Sequence, residues 1–68
     1  MDVHSAAIQK IRYERERCKL FVRFHDGDEY VYVGVPEDVH RSFAHASSKA
    51  RFFTAEIRDR YPFNRLDG

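Results

Sequence analysis

The strongest constraint on this chain is a pair of alternating segments on either side of a glycine turn. Lys19 to Phe24 (KLFVRF) and Glu29 to Val33 (EYVYV) place large apolar residues at every second position, and His25-Asp26-Gly27 lies between them. A period of two sends alternate side chains to opposite faces of a strand. Two such runs around a short glycine-bearing loop form a hairpin. Loop length then decides which residues meet. A three-residue loop, with Gly27 in the left-handed conformation that glycine adopts at no steric cost, sets Val22 opposite Tyr30 and Leu20 opposite Tyr32. Leu20, Val22, Phe24, Tyr30 and Tyr32 then share one face. A two-residue Asp26-Gly27 turn would pair Val22 with Val31 and move both tyrosines beside Phe21 and Arg23. The first register collects more apolar area on one side, so it is the expected one.

The other elements follow from the same reading. Ile8 to Tyr13 (IQKIRY) is a first strand with Ile11 and Tyr13 on one face and Lys10 and Arg12 on the other. Glu14-Arg15-Glu16-Arg17 is a solvated turn. Val35-Pro36 ends the sheet, because proline cannot donate to a ladder but suits the start of a helix. Glu37 and Asp38 follow, favourably placed against a helix dipole. Val39, Phe43 and Ala46 recur at i, i+4 and i+7, which predicts a short amphipathic helix over 37–46. Ser47 or Ser48 caps a second helix. Its stripe is Phe53 and Ile57, extended by Ala50 and Tyr61, and Tyr61-Pro62 stops it. The expected fold is α+β, a three-stranded antiparallel β-meander followed by two short helices packed on one face (β-β-β-α-α). A single domain spans 3–63, and 64–68 form a disordered tail. Two short helices cannot cover both sheet faces. The row Phe21, Val31 and Val33 therefore suggests a partner or a second copy of the chain, unless the terminal segments fold over it.

Composition excludes several functions. A chain of 68 residues leaves no room for a deep catalytic cleft. No apolar run approaches the roughly 20 residues of a membrane helix. The start MDVHSAAIQK lacks a basic segment followed by an apolar one, so no signal peptide is expected. The single cysteine fits a reducing, cytoplasmic compartment. Cys18 is flanked by Arg17 and Lys19, but no motif places a base beside it, so an ordinary thiol is expected. His40 and His45 are five apart, which turns them away from a common helix face, and a metal site is not expected. The three glycines are too scattered for a phosphate loop. The expectation is a non-enzyme with no cofactor and no small-molecule substrate.

Charge is informative only locally. Twelve basic and eleven acidic residues nearly cancel. From Ser47 to Arg65, however, Lys49, Arg51, Arg58, Arg60 and Arg65 face only Glu56 and Asp59, with Phe52, Phe53, Tyr61 and Phe63 interleaved. Basic groups neutralise phosphates and aromatic faces stack on unpaired bases. Lys49, Arg51, Arg58 and Arg60 are candidate phosphate contacts, and Tyr61, Tyr30 and Tyr32 candidate stacking or hydrogen-bonding residues. The competing reading places Tyr30 and Tyr32 in the core with their hydroxyls led to partners. Ser47 and Ser48 could hold an anion at a helix start, but capping is the simpler role. Asp26, Asp28 and Glu29 make the hairpin acidic against this basic segment.

The ordered motifs support a family resemblance. His4-Ser5, Ile8, Ile11 and Tyr13 come first, then Leu20-x-Val22-x-Phe24, Gly27 and Tyr30-Val31-Tyr32. Val35-Pro36 follows, then Ala46-Ser47-Ser48-Lys49-Ala50-Arg51-Phe52-Phe53, Ile57-Arg58 and Tyr61. This set resembles the KTSC domain, named for the C-terminal extension of some lysyl-tRNA synthetases and found also as small stand-alone bacterial proteins. The sequence departs from that pattern at two positions: Ala50 stands where the family usually has Gly, and Thr54 where it usually has Asn. The resemblance implies no known reaction. It implies contact with RNA, either tRNA or single strands, through an association with a tRNA synthetase rather than through a mechanism.

Overall fold

The computed structural model describes residues 8–66. Four strands and two helices follow in the order β1 (Ile8–Glu14), β2 (Lys19–Phe24), β3 (Glu29–Val33), α1 (Glu37–His45), α2 (Lys49–Glu56) and β4 (Phe63–Leu66). The sheet runs β1-β2-β3-β4, and every neighbouring pair is antiparallel.

The hairpin takes the three-residue register. Leu20 faces Tyr32 and Val22 faces Tyr30. Gly27 has φ +98°, and its N–H donates to the Phe24 carbonyl at 3.0 Å. The Phe24 N–H donates to the Asp28 carbonyl at 2.8 Å, closing the loop. Asp26 Oδ1 accepts from the Asp28 N–H at 3.1 Å, a side-chain turn that Asp forms readily.

Strand β1 contains an irregularity that the alternation did not reveal. Ile8 pairs with Phe24 but Lys10 already pairs with Arg23, so one extra residue lies between Ile8 and Lys10. Strict alternation would put Ile8 on the side of Lys10, away from Ile11. The bulge returns Ile8 to the core side, where it packs against the buried cluster as Ile11 and Tyr13 do.

The core lies between the sheet and the helices. Leu20, Val22, Phe24, Tyr32, Val35, Phe43, Phe53 and Ile57 are buried together. Phe53 links the layers. Its ring meets Phe24 at 5.6 Å and Tyr32 at 5.5 Å, both edge-to-face, and tilts against Phe43 at 6.4 Å. Phe52, one position earlier, stacks against Phe43 at 5.6 Å and is half-buried.

Two expectations are corrected. The second helix does not run to Tyr61. It ends at Glu56, where the Phe53 carbonyl accepts both the Ile57 N–H and the Arg58 N–H. Ile57 is fully buried, and the chain turns there towards the edge of β3. Phe63–Leu66 is a fourth strand rather than part of a frayed tail. The Val33 N–H donates to the Pro62 carbonyl at 2.9 Å, and Tyr32, Val31, Tyr30 and Glu29 pair with Phe63, Asn64, Arg65 and Leu66. Residues 67 and 68 lie outside the described residues.

Candidate nucleic-acid interface

Of the two candidate caps, Ser47 and Ser48, the structure uses Ser48 for α2. Its Oγ accepts from the Arg51 N–H at 3.2 Å, satisfying one of the unpaired donors of the first turn. The cap fixes where the helix begins and so where its cations stand. Lys49 and Arg51 are exposed on the first turn. Arg51 lines the flank of α2 together with Ser48, Ala50 and Thr54.

The rest of the basic set stands elsewhere. Arg58 and Arg60 are exposed in the turn after α2, held by the N–H of Arg60 donating to the Ile57 carbonyl at 3.1 Å. Arg58, Asp59, Arg60, Tyr61, Pro62 and Phe63 line one open cleft. The structure thus divides the predicted basic residues. Arg58 and Arg60 share the turn and its cleft with Tyr61 and Asp59, while Lys49 and Arg51 belong to a separate stretch of surface on α2. Arg65 is committed to an ion pair at 2.8 Å with Asp28, which ties β4 to the acidic hairpin.

The tyrosines also separate. Tyr32 is only 3% exposed, with Phe53 on one side and Phe63 at 5.4 Å on another. It has no ring face left for a base and is withdrawn from the interface. Tyr30 is half-buried, edge-to-face with Phe24 at 5.8 Å and tilted against Phe63 at 5.7 Å. Tyr61 is half-buried at the cleft and packs against the core. Phe63 is one of the aromatics interleaved in the basic segment, and the sequence assigns it no site role. It is 51% exposed, the one large hydrophobic so exposed among the described residues. The only signal in the sequence is an aromatic directly after Pro62. Its placement beside Tyr30 and Tyr32 needs the pairing of β4 with β3.

The opposite sheet face is less bare than the sequence suggests. Val31 is 7% exposed, between Phe21 and Asn64 in the pairing. The Arg12 guanidinium lies over the Phe21 ring at 3.9 Å from its centroid, so a long charged side chain covers part of the apolar row. Phe21, Val33 and Leu66 remain half-buried.

Cys18 sits at φ +53° in the β1–β2 turn, its Sγ 3.8 Å from the Arg15 carbonyl. Its own carbonyl accepts from the N–H groups of Gly34 and Val35, both at 3.0 Å. Nearby, the Tyr13 hydroxyl donates to the Val35 carbonyl at 2.7 Å, and the ring stacks on His40 at 4.5 Å. Burial pushes the Tyr13 phenol above its ordinary range, and Cys18, Glu37 and Asp38 add to this. The grouping pins the end of the hairpin to α1. His45 is exposed, and among the described residues no three His, Cys, Asp or Glu side chains gather as metal ligands. His4 lies outside the described residues. Among the described residues no helix is long and apolar enough to cross a membrane.

Fold and surface together define a small α+β domain whose distinctive surface is a basic cleft beside a sheet edge. The KTSC domain family matches residues 4–61, and the chain belongs to that family. A crystal structure of a KTSC domain protein from Yersinia pestis is similar throughout. It is 34% identical, covers 98% of this chain and 94% of its own, and superposes with a TM-score of 0.85. No curated protein matches the chain. The matched residues end at Tyr61, two positions before β4.

Proposed function

We propose that this chain is a small non-catalytic RNA-binding domain. The observation that supports it is one open cleft lined by Arg58, Asp59, Arg60, Tyr61 and Phe63, in which the cations outnumber the carboxylate. Two guanidiniums on an exposed turn offer forked donors to phosphate oxygens, and an aromatic beside them offers a flat apolar surface. Lys49 and Arg51 on α2 would extend the phosphate track. The cleft is shallow and charged, suited to a chain lying across it rather than to an enclosed small molecule. A cytoplasmic location fits both such a partner and a free cysteine.

Titration with labelled tRNA and with unstructured single-stranded RNA, at low and at moderate salt, tests the proposal. Binding that weakens steeply with salt is expected. No binding at low salt and high micromolar protein overturns it.

A second reading uses the other sheet face. Half-buried Phe21, Val33 and Leu66 lie there, away from both helices. Self-association through this face predicts a dimer mass in solution that Phe21→Glu abolishes. A monomer at high micromolar concentration removes this reading.

A further inference from the structure

We propose that Phe63 is the stacking platform for one unpaired nucleobase, which makes single-stranded rather than duplex RNA the ligand of the cleft. This rests on the RNA-binding reading above. Phe63 is about half exposed, yet its ring is held by tilted contacts to Tyr30 at 5.7 Å and Tyr32 at 5.4 Å. Its backbone is anchored on both sides. The Pro62 carbonyl accepts from the Val33 N–H at 2.9 Å, and Asn64 and Arg65 pair with Val31 and Tyr30 in the β3–β4 ladder. A strand-mounted aromatic of this kind is pre-organised, so a base stacking on it does not have to order the ring first.

The surroundings select the occupant. Arg58 and Arg60 line the same cleft as Phe63, with Asp59 between them in the chain, so the cleft joins an aromatic ring to a net positive charge. A nucleotide presents that combination, a flat π-face joined to a phosphate. A single exposed ring offers too little apolar area to hold a protein partner by itself. A duplex keeps its bases stacked on one another and offers no free face, whereas a single strand can turn one out. Stacking is tolerant of base identity, so the platform carries little sequence preference.

The experiment compares wild type, Phe63→Leu and Phe63→Trp against an unstructured oligoribonucleotide and a blunt RNA duplex at low salt. Leucine preserves apolar packing on Tyr30 and Tyr32 but removes the π-face. Thermal unfolding of each variant confirms that the fold is retained. Phe63→Leu is expected to weaken single-strand binding by roughly tenfold or more. Phe63→Trp should retain binding, and its indole, the only one in the chain, should be quenched by the single strand and not by the duplex. Unchanged affinity in Phe63→Leu, or equal binding of duplex and single strand, overturns the platform while leaving RNA contact through the arginines standing. Wild type that binds neither RNA overturns both. A concentration-dependent dimer lost in Phe63→Leu, without RNA binding, also overturns the platform and makes the ring a protein contact.

Discussion

The Thr54 hydroxyl donates to the carbonyl oxygen of Ala50 at 3.0 Å, one turn back along α2. These are the two positions at which the resemblance leads us to expect a departure from the KTSC pattern, and here they meet. Alanine is the best helix former, and threonine satisfies its hydroxyl within the helix it occupies. Both departures are therefore absorbed as ordinary helical geometry.

Ala50→Gly is expected to lower stability by about 1 kcal/mol through backbone entropy. In a domain of this size that is a fall of roughly 4–8 °C in Tm. Thermal unfolding followed by circular dichroism measures it. An unchanged Tm would mean that α2 gains nothing from alanine at this position.

Tyr13 makes stability sensitive to alkaline pH. Its phenol is raised in the folded chain, so the fold holds the proton more tightly than the unfolded chain does. That contribution is fully present below the ordinary tyrosine value of about 10 and is lost as pH rises through the folded value. Denaturant unfolding between pH 8 and 11 should show the decline starting near pH 10. Tyr13→Phe should flatten the tyrosine contribution. It should also cost about 0.5–1.5 kcal/mol at neutral pH, because the Val35 carbonyl loses its 2.7 Å donor.

Arg65 and Asp28 hold β4 at the hairpin, but the pair lies at the surface, with Arg65 well exposed. Asp28→Asn should therefore change global stability by no more than about 1 kcal/mol. Its larger effect should be local, as faster amide exchange in β4 with the β1–β2 ladder unaffected. Exchange rates that rise equally across the sheet would mean that the pair supports the whole fold.

Arg58→Gln with Arg60→Gln tests the cleft electrostatically. If each guanidinium neutralises one phosphate of a single strand, each loss lowers the salt slope of log affinity by about 0.7. Affinities measured over a range of salt concentrations give the slope directly. A slope unchanged in the double variant places the phosphate contacts elsewhere, with Lys49 and Arg51 as the next candidates.

What the sequence determined by itself is local. Alternation on both sides of Gly27 set the hairpin register down to the pairs Leu20–Tyr32 and Val22–Tyr30, because strand period and loop length leave few choices. Pro36 and the pair Ser47-Ser48 marked the helix starts by chemistry that acts within three or four residues, and the structure chose Ser48 of the pair. Only the tertiary structure decided the rest. Phe-Asn-Arg-Leu has neither length nor alternation to form a strand alone. It becomes one because β3 offers an unpaired edge, and its hydrogen bonds come from residues about thirty positions earlier. The bulge before Lys10 exists because Ile8 gains burial on the core side. The candidate site depends on the same long-range pairing. Arg58, Arg60 and Tyr61 were legible as types in a row. The cleft they share with Phe63, and the burial of Tyr32, follow from where β4 docks, which a local pattern does not encode.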